Sequence, residues 1–130
     1  HNSEIDQTIK KYTKNKIKFS FTPHLSPMFR GILSTIYVDL DNVATIKRLH
    51  TELVNFYKKE EFVKIKELDS LISTNEVINK NHCIISVCKS KYNNKAIILS
   101  SLDNLIKGGA GQGIQNMNIF YDFNVKEGLK

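Results

Sequence analysis

From residue 16 to 22 apolar and polar side chains alternate, with Ile17, Phe19 and Phe21 set against Lys16, Lys18 and Ser20. Period two over that length predicts a half-buried strand. Ahead of it, residues 3–13 place Ile5 and Ile9 on one face behind Asn2 or Ser3 as cap, which predicts a short helix. Pro23 and Pro27 then interrupt regular structure, and Gly31 to Leu40 is rich in β-branched and aromatic residues, a second strand. Asp41 or Asn42 is placed to cap a helix from about Val43 to Lys59, its inward stripe formed by Ile46, Leu49, Leu53, Phe56 and Tyr57. A short strand follows at Phe62–Ile65, and 68–81 reads mostly as connector. Two more strands, His82–Lys89 and Lys95–Ser100, flank the turn at 90–94, and a last helix runs to about Phe123. Consecutive strands without intervening helices predict an α+β fold. A mixed or antiparallel sheet is covered on one face by the two main helices. No repeat, low-complexity tract or linker divides residues 1–130, so one domain is expected.

Between Ser101 and Asn118 the pattern changes character. Asp103, Asn104, Lys107, four glycines, Gln112, Gln115, Asn116 and Asn118 crowd into one turn-to-helix segment. Glycine inside a helix costs about 1 kcal/mol against alanine. Its repeated use at a helix start therefore signals a close approach to the backbone. The spacing is not a dinucleotide fingerprint, because Gly109 and Gly111 would need glycine at 114, where Ile stands. Free N–H groups, Lys107 and several amides suit an anionic or amide ligand. A tight helix start packed on a neighbouring subunit explains them equally well.

The other segment with chemistry is Phe21–Gly31. Arg30 offers a planar fork for a carboxylate or phosphate, and it stands where a proline-bounded turn enters a strand. His24 in the same turn is a candidate acid, base or donor, although a structural role is the commoner fate of such a residue. Cys83 and Cys88 lie five apart on one strand, point to opposite faces, and form no metal spacing; free thiols suit a reducing, cytoplasmic setting. Net charge is +6, with basic residues scattered and not interleaved with aromatics, so a solvated surface is expected ahead of nucleic-acid binding. No apolar run approaches the ~20 residues of a membrane span. The chain opens on His1-Asn2-Ser3-Glu4, without methionine or signal peptide, and reads as a piece of something longer.

Several motifs together resemble one enzyme family. FTPHLSPMFRGI, YKKEEFV, NHC and DNLIKGGAGQGIQNMN follow in the order found in N-acetyl-gamma-glutamyl-phosphate reductases, and HNSEI is similar to the end of their His-x-His-x-x-E-I. The resemblance implies a second, glyceraldehyde-3-phosphate dehydrogenase-like domain, which carries substrate-binding residues and subunit contacts behind an NADP-binding domain. In that family an acyl phosphate is reduced through a cysteine thioester, with NADPH, on the way to arginine. The resemblance makes His1, or the histidine that precedes it in the motif, the acid/base. Arg30, with His24 beside it, becomes the partner of a substrate carboxylate or phosphate, and Asn116 the contact of the nicotinamide amide. Asn104, Lys107 and Gln112 match motif letters and touch either ligand or subunit. Glycine replaces the family alanine at Gly109 and Gly113. The nucleophile turn and the cofactor domain are absent from this stretch, so the piece alone is expected to be inactive. An aminoadipyl-phosphate reductase of lysine biosynthesis and a stand-alone binding module are the alternatives.

Overall fold

The computed structural model describes residues 2–15, 17–41 and 43–130. Helix α1 spans Asn2–Tyr12, and Ile5 and Ile9 are half-buried on it, as their spacing predicts, with Asp6 beside them. Four strands form the sheet: β1 Ile32–Asp39, β2 Val63–Ile65, β3 Cys83–Lys89 and β4 Lys95–Leu102. Their order across the sheet is β1-β4-β3-β2. β3 and β4 make an antiparallel hairpin, β1 adds antiparallel to β4 with Ile32 opposite Leu102, and β2 runs parallel to β3 with Val63 opposite Cys83. The sheet is thus mixed, and the α+β class predicted from the sequence is the one observed.

A parallel pair needs a long connection, and residues 66–82 supply it. Segment 73–76 in that crossover makes a single tight helical turn closed reciprocally. Asn75 N–H donates to Ser73 Oγ, and the Glu76 carboxylate accepts from Ser73 N–H at 3.1 Å. The crossover packs on the sheet face that carries Ser86, whose hydroxyl donates to the Ser70 carbonyl at 2.6 Å. The apolar core is small and lies on both faces of the sheet: Phe62, Val77, Ile84, Val87 and Ala96 are buried, with Val87 and Ala96 on the face opposite Ser86.

Helix α2, Ile46–Tyr57, packs against β2 and β3. Its cap is Thr45, which accepts from Arg48 N–H, and not the predicted Asp41. Asp41 instead closes a turn just ahead by accepting from Val43 and Ala44 N–H; Asn42, the other predicted cap, lies outside the described residues. Ile46, Leu49, Leu53 and Tyr57 are half-buried as predicted, but Phe56 is 73% exposed because it falls off the stripe that meets the strands.

Two further expectations are corrected. Residues 17–22 form no strand, and Lys16 lies outside the described residues. A strand exists through its ladder, and this segment pairs with no strand among the described residues, so Ile17, Phe19 and Phe21 remain exposed. The last helix, α3, spans Gly111–Phe120 and stops short of Phe123, with Asp122 in the left-handed region at φ 54°. Strand β1 is an edge strand. Ile32, Leu33, Ile36 and Tyr37 are all exposed, so apolar side chains stand uncovered on both of its faces.

Candidate functional site

Arg30 is held at a corner that the sequence builds with Gly31. Gly31 has φ +105°, and a Cβ there would meet the Thr74 side chain at 2.9 Å, so only glycine allows the turn into β1 at this point. Gly31 N–H donates to Asn104 Oδ1 at 2.7 Å, which ties the corner to the end of β4. The guanidinium then reaches Asp103, donating to Oδ1 from Nε at 3.3 Å and from Nη2 at 2.8 Å, while Nη1 donates to Asn79 Oδ1 at 3.2 Å. Asp103 has no exposed side-chain surface and Arg30 has 14%. Burial would raise the Asp103 carboxyl, but the Arg30 guanidinium and the N–H groups of Asn79, Leu105 and Ile106 outweigh it and hold the group below the usual carboxylate value. Sequence reasoning assigned Arg30 to a substrate anion. In the fold three of its five N–H groups are taken by the chain itself, chiefly by an aspartate 73 residues away.

A second node lies where the glycine-rich segment begins. Residues Ile106–Ala110 form a widened helical turn: Gly108 N–H donates to the Asp103 carbonyl and Ala110 N–H to that of Leu105. Lys107 is thereby turned inward. Its Nζ donates to Gln115 Oε1 at 2.7 Å and sits 5.5 Å from the Phe62 ring centre. Desolvation pulls the Lys107 ammonium below its ordinary pKa, against the opposing charges of Cys83 and Glu60. Asn81 is fully buried, and its Nδ2 donates to the same Gln115 oxygen at 3.0 Å. The close approach that the glycines announce is made by Gly111, where a Cβ would collide with Asn81 Oδ1 and meet the Ile106 carbonyl at 2.8 Å. The neighbour that needs the glycine is this chain's own asparagine.

The remaining candidates stand apart. His24 is exposed on the turn, its Nδ1 3.2 Å from the Thr22 carbonyl, among the uncovered Phe21, Leu25, Met28 and Phe29. Asn116 is exposed on α3, where its Oδ1 accepts from Gln112 at 2.9 Å. Asn118, the other asparagine of that motif, is buried and donates to the carbonyls of Val125 and Glu127. His1 lies outside the described residues. Cys83 and Cys88 are free and half-buried; Cys83 Sγ is 3.5 Å from Ser100 Oγ, and Cys88 Sγ 3.6 Å from the Ser70 carbonyl. Among the described residues no cluster of three or more His, Cys, Asp or Glu is placed to hold a metal ion, and no helix is long and apolar enough to cross a membrane. Sequence reasoning missed Asp103 and Asn81 as buried hubs. Their signal was present only as motif letters, because each gains its meaning from a partner far along the chain.

Residues 1–104 match the family model described as semialdehyde dehydrogenase, dimerisation domain. The chain is 46% identical over 129 residues to an N-acetyl-gamma-glutamyl-phosphate reductase of Clostridium kluyveri, a match that covers 99% of this chain. It is 43% identical over 130 residues to the protein of that name in Staphylococcus aureus strain MRSA252, covering 100% of this chain. In each case it spans 38% of the relative's length.

Proposed function

Since the chain belongs to the semialdehyde dehydrogenase dimerisation-domain family, we propose that it is the substrate-side and subunit-contact domain of an NADP-dependent oxidoreductase. The reaction is reduction of N-acetyl-L-glutamyl 5-phosphate to N-acetyl-L-glutamate 5-semialdehyde with release of phosphate, in arginine biosynthesis. One observation carries this reading: relatives that share 43–46% of residues along essentially all of this chain bear the reductase name. They lend no support to the aminoadipyl alternative.

In this reading His1 supplies the acid/base beside a thiol located in another part of the protein. His24 stands on an exposed turn where a substrate carboxylate or phosphate is within its reach, and the two N–H groups that Arg30 keeps uncommitted serve the same anion. The main task of Arg30 is to fix the corner from which that turn projects. Asn116 fits a carboxamide: Gln112 engages only its oxygen, which leaves the side-chain nitrogen as donor to the nicotinamide amide. The cofactor supplies the hydride, and its own binding domain precedes this one. The uncovered apolar residues of β1 and of the 17–29 segment are the surfaces for a second subunit and for the preceding domain. The protein works in the cytoplasm as a homo-oligomer, and the domain alone is inactive.

The test is phosphate-dependent NADP reduction by the full-length protein with N-acetyl-glutamate 5-semialdehyde, beside His24→Asn and Asn116→Ala. Turnover is expected, with a raised KM for the aldehyde in the first variant and for NADP in the second. Absence of turnover, or preference for the aminoadipyl compound, removes the reading. Turnover that neither substitution affects keeps the reaction and takes both residues out of the site.

A further inference from the structure

A cleft of about 280 Å³ opens at the β2 side of the sheet, lined by Lys64, Lys66, Lys80, His82, Glu76 and Ile84. The topology creates it. Lys64 pairs with Ile84 in the β2–β3 ladder, which puts their side chains on one face. The crossover returns over that face and contributes Glu76 and Lys80. Three ammonium groups therefore share a recess with one carboxylate. Glu76 Oε2 accepts from Lys66 Nζ at 3.0 Å, and the amine of Lys80 donates to the Glu76 carbonyl at 2.9 Å, so one carboxylate is shared between two ammonium groups. Lys64 has no hydrogen-bond or ion-pair partner among the described residues. His82 Nδ1 is buried and unpartnered, and its ring meets the Phe62 ring edge-on at 5.6 Å.

Three cations against one anion leave the recess with a net positive charge that attracts small anions. We propose that this cleft is a binding site for a small phosphorylated anion, held by Lys64 and Lys80 with Lys66 already oriented by Glu76. A cavity of this size admits pyrophosphate or a phosphorylated metabolite and is too small for a nucleic-acid duplex. The site goes beyond the reductase reading, since none of the residues assigned to that reaction lines it.

His82 reports on occupancy. Desolvation lowers its pKa first, then the charges of Lys64, Lys80 and Lys107, with Glu61 opposing. An anion between Lys64 and Lys80 cancels part of that repulsion, so the imidazole gains proton affinity when the cleft fills. The probe is inorganic pyrophosphate, titrated into the full-length protein while the His82 imidazole is followed by NMR, with His82→Asn to assign the signal. A saturable shift and an upward move of the His82 titration are expected. Sodium chloride at matched ionic strength should not reproduce them. Lys64→Gln with Lys80→Gln, both at exposed positions, should weaken binding at least tenfold, whereas Glu76→Gln should tighten it. No saturable shift, a shift matched by chloride, or binding unchanged in the double variant overturns the proposal. An unchanged KM for the acyl phosphate in the double variant assigns the cleft to a free phosphorylated ligand. A rise in KM parallel to the loss of pyrophosphate binding assigns it to the phosphoryl group of the substrate.

Discussion

Arg30 and Asp103 are the most consequential pair of side chains in the chain. Removal of one partner leaves the other as a buried, uncompensated charge, which costs more than the pair itself contributes. Arg30→Ala is therefore expected to destabilise the domain by about 3 kcal/mol, at the lower end for such pairs because Arg30 retains some exposure. Chemical denaturation of the variant against the parent checks it. The pH dependence has a definite sign. The Asp103 carboxyl titrates below 3.8 in the folded state, so its contribution is present above that value and is lost as pH falls through the lower, folded pKa. The acid-unfolding midpoint of Arg30→Ala should accordingly lie at higher pH than that of the parent. His82 acts in the same direction nearer neutrality. Its folded pKa lies below 6.5, so the unfolded chain binds the proton more readily and stability falls as pH drops below 6.5.

At the scale of elements, the glycines at the start of α3 separate into two kinds. Gly111 has no room for a side chain, since Asn81 and Ile106 occupy the space. At Gly113 a Cβ would meet nothing within 4 Å, and the position is exposed on the helix. Gly113→Ala should stabilise by about 1 kcal/mol through helix propensity, whereas Gly111→Ala should destabilise and disturb the Lys107–Gln115–Asn81 bonds. Thermal melts of the two variants should move in opposite directions. Elements with their own periodicity were legible from sequence: α1, α2, the β3–β4 hairpin and the β1 run lie within a few residues of their expected bounds. Segment 17–22 was not, because alternation reports a side-chain pattern while a strand also requires a partner backbone. The candidate site was legible as residue types and opaque as contacts. Arg30 reads as an anion binder until the fold delivers Asp103 to it. The basic cleft was invisible, because β2 and the crossover bring its lysines together from separate stretches.

For the whole molecule, the decisive observation is how little of the sheet's β1 end is covered. An edge strand with Ile32, Leu33, Ile36 and Tyr37 exposed invites pairing with another surface unless it is blocked. In the proposed reading this surface meets a second subunit, in keeping with the family's description as a dimerisation domain. Ile36→Glu with Tyr37→Glu places charge on both faces of the strand. In the full-length protein this is expected to shift a dimer to monomer in sedimentation or light scattering, with the secondary structure retained. A dimer that survives the double substitution would place the contact elsewhere.

The sheet's connectivity also sets an order in time. The β3–β4 hairpin closes across five residues, whereas the nearest pair that joins β1 to β4, Asp39 with Lys95, lies 56 positions apart along the chain. Local closure is entropically cheaper and faster than distant closure. Contact separation therefore predicts that the hairpin forms early and that β1, with Arg30 beside it, docks onto β4 afterwards. Until then the apolar side chains of β1 and of the stretch before it stay uncovered. An exposed apolar edge strand that pairs late is also the segment most open to wrong pairing while the chain folds.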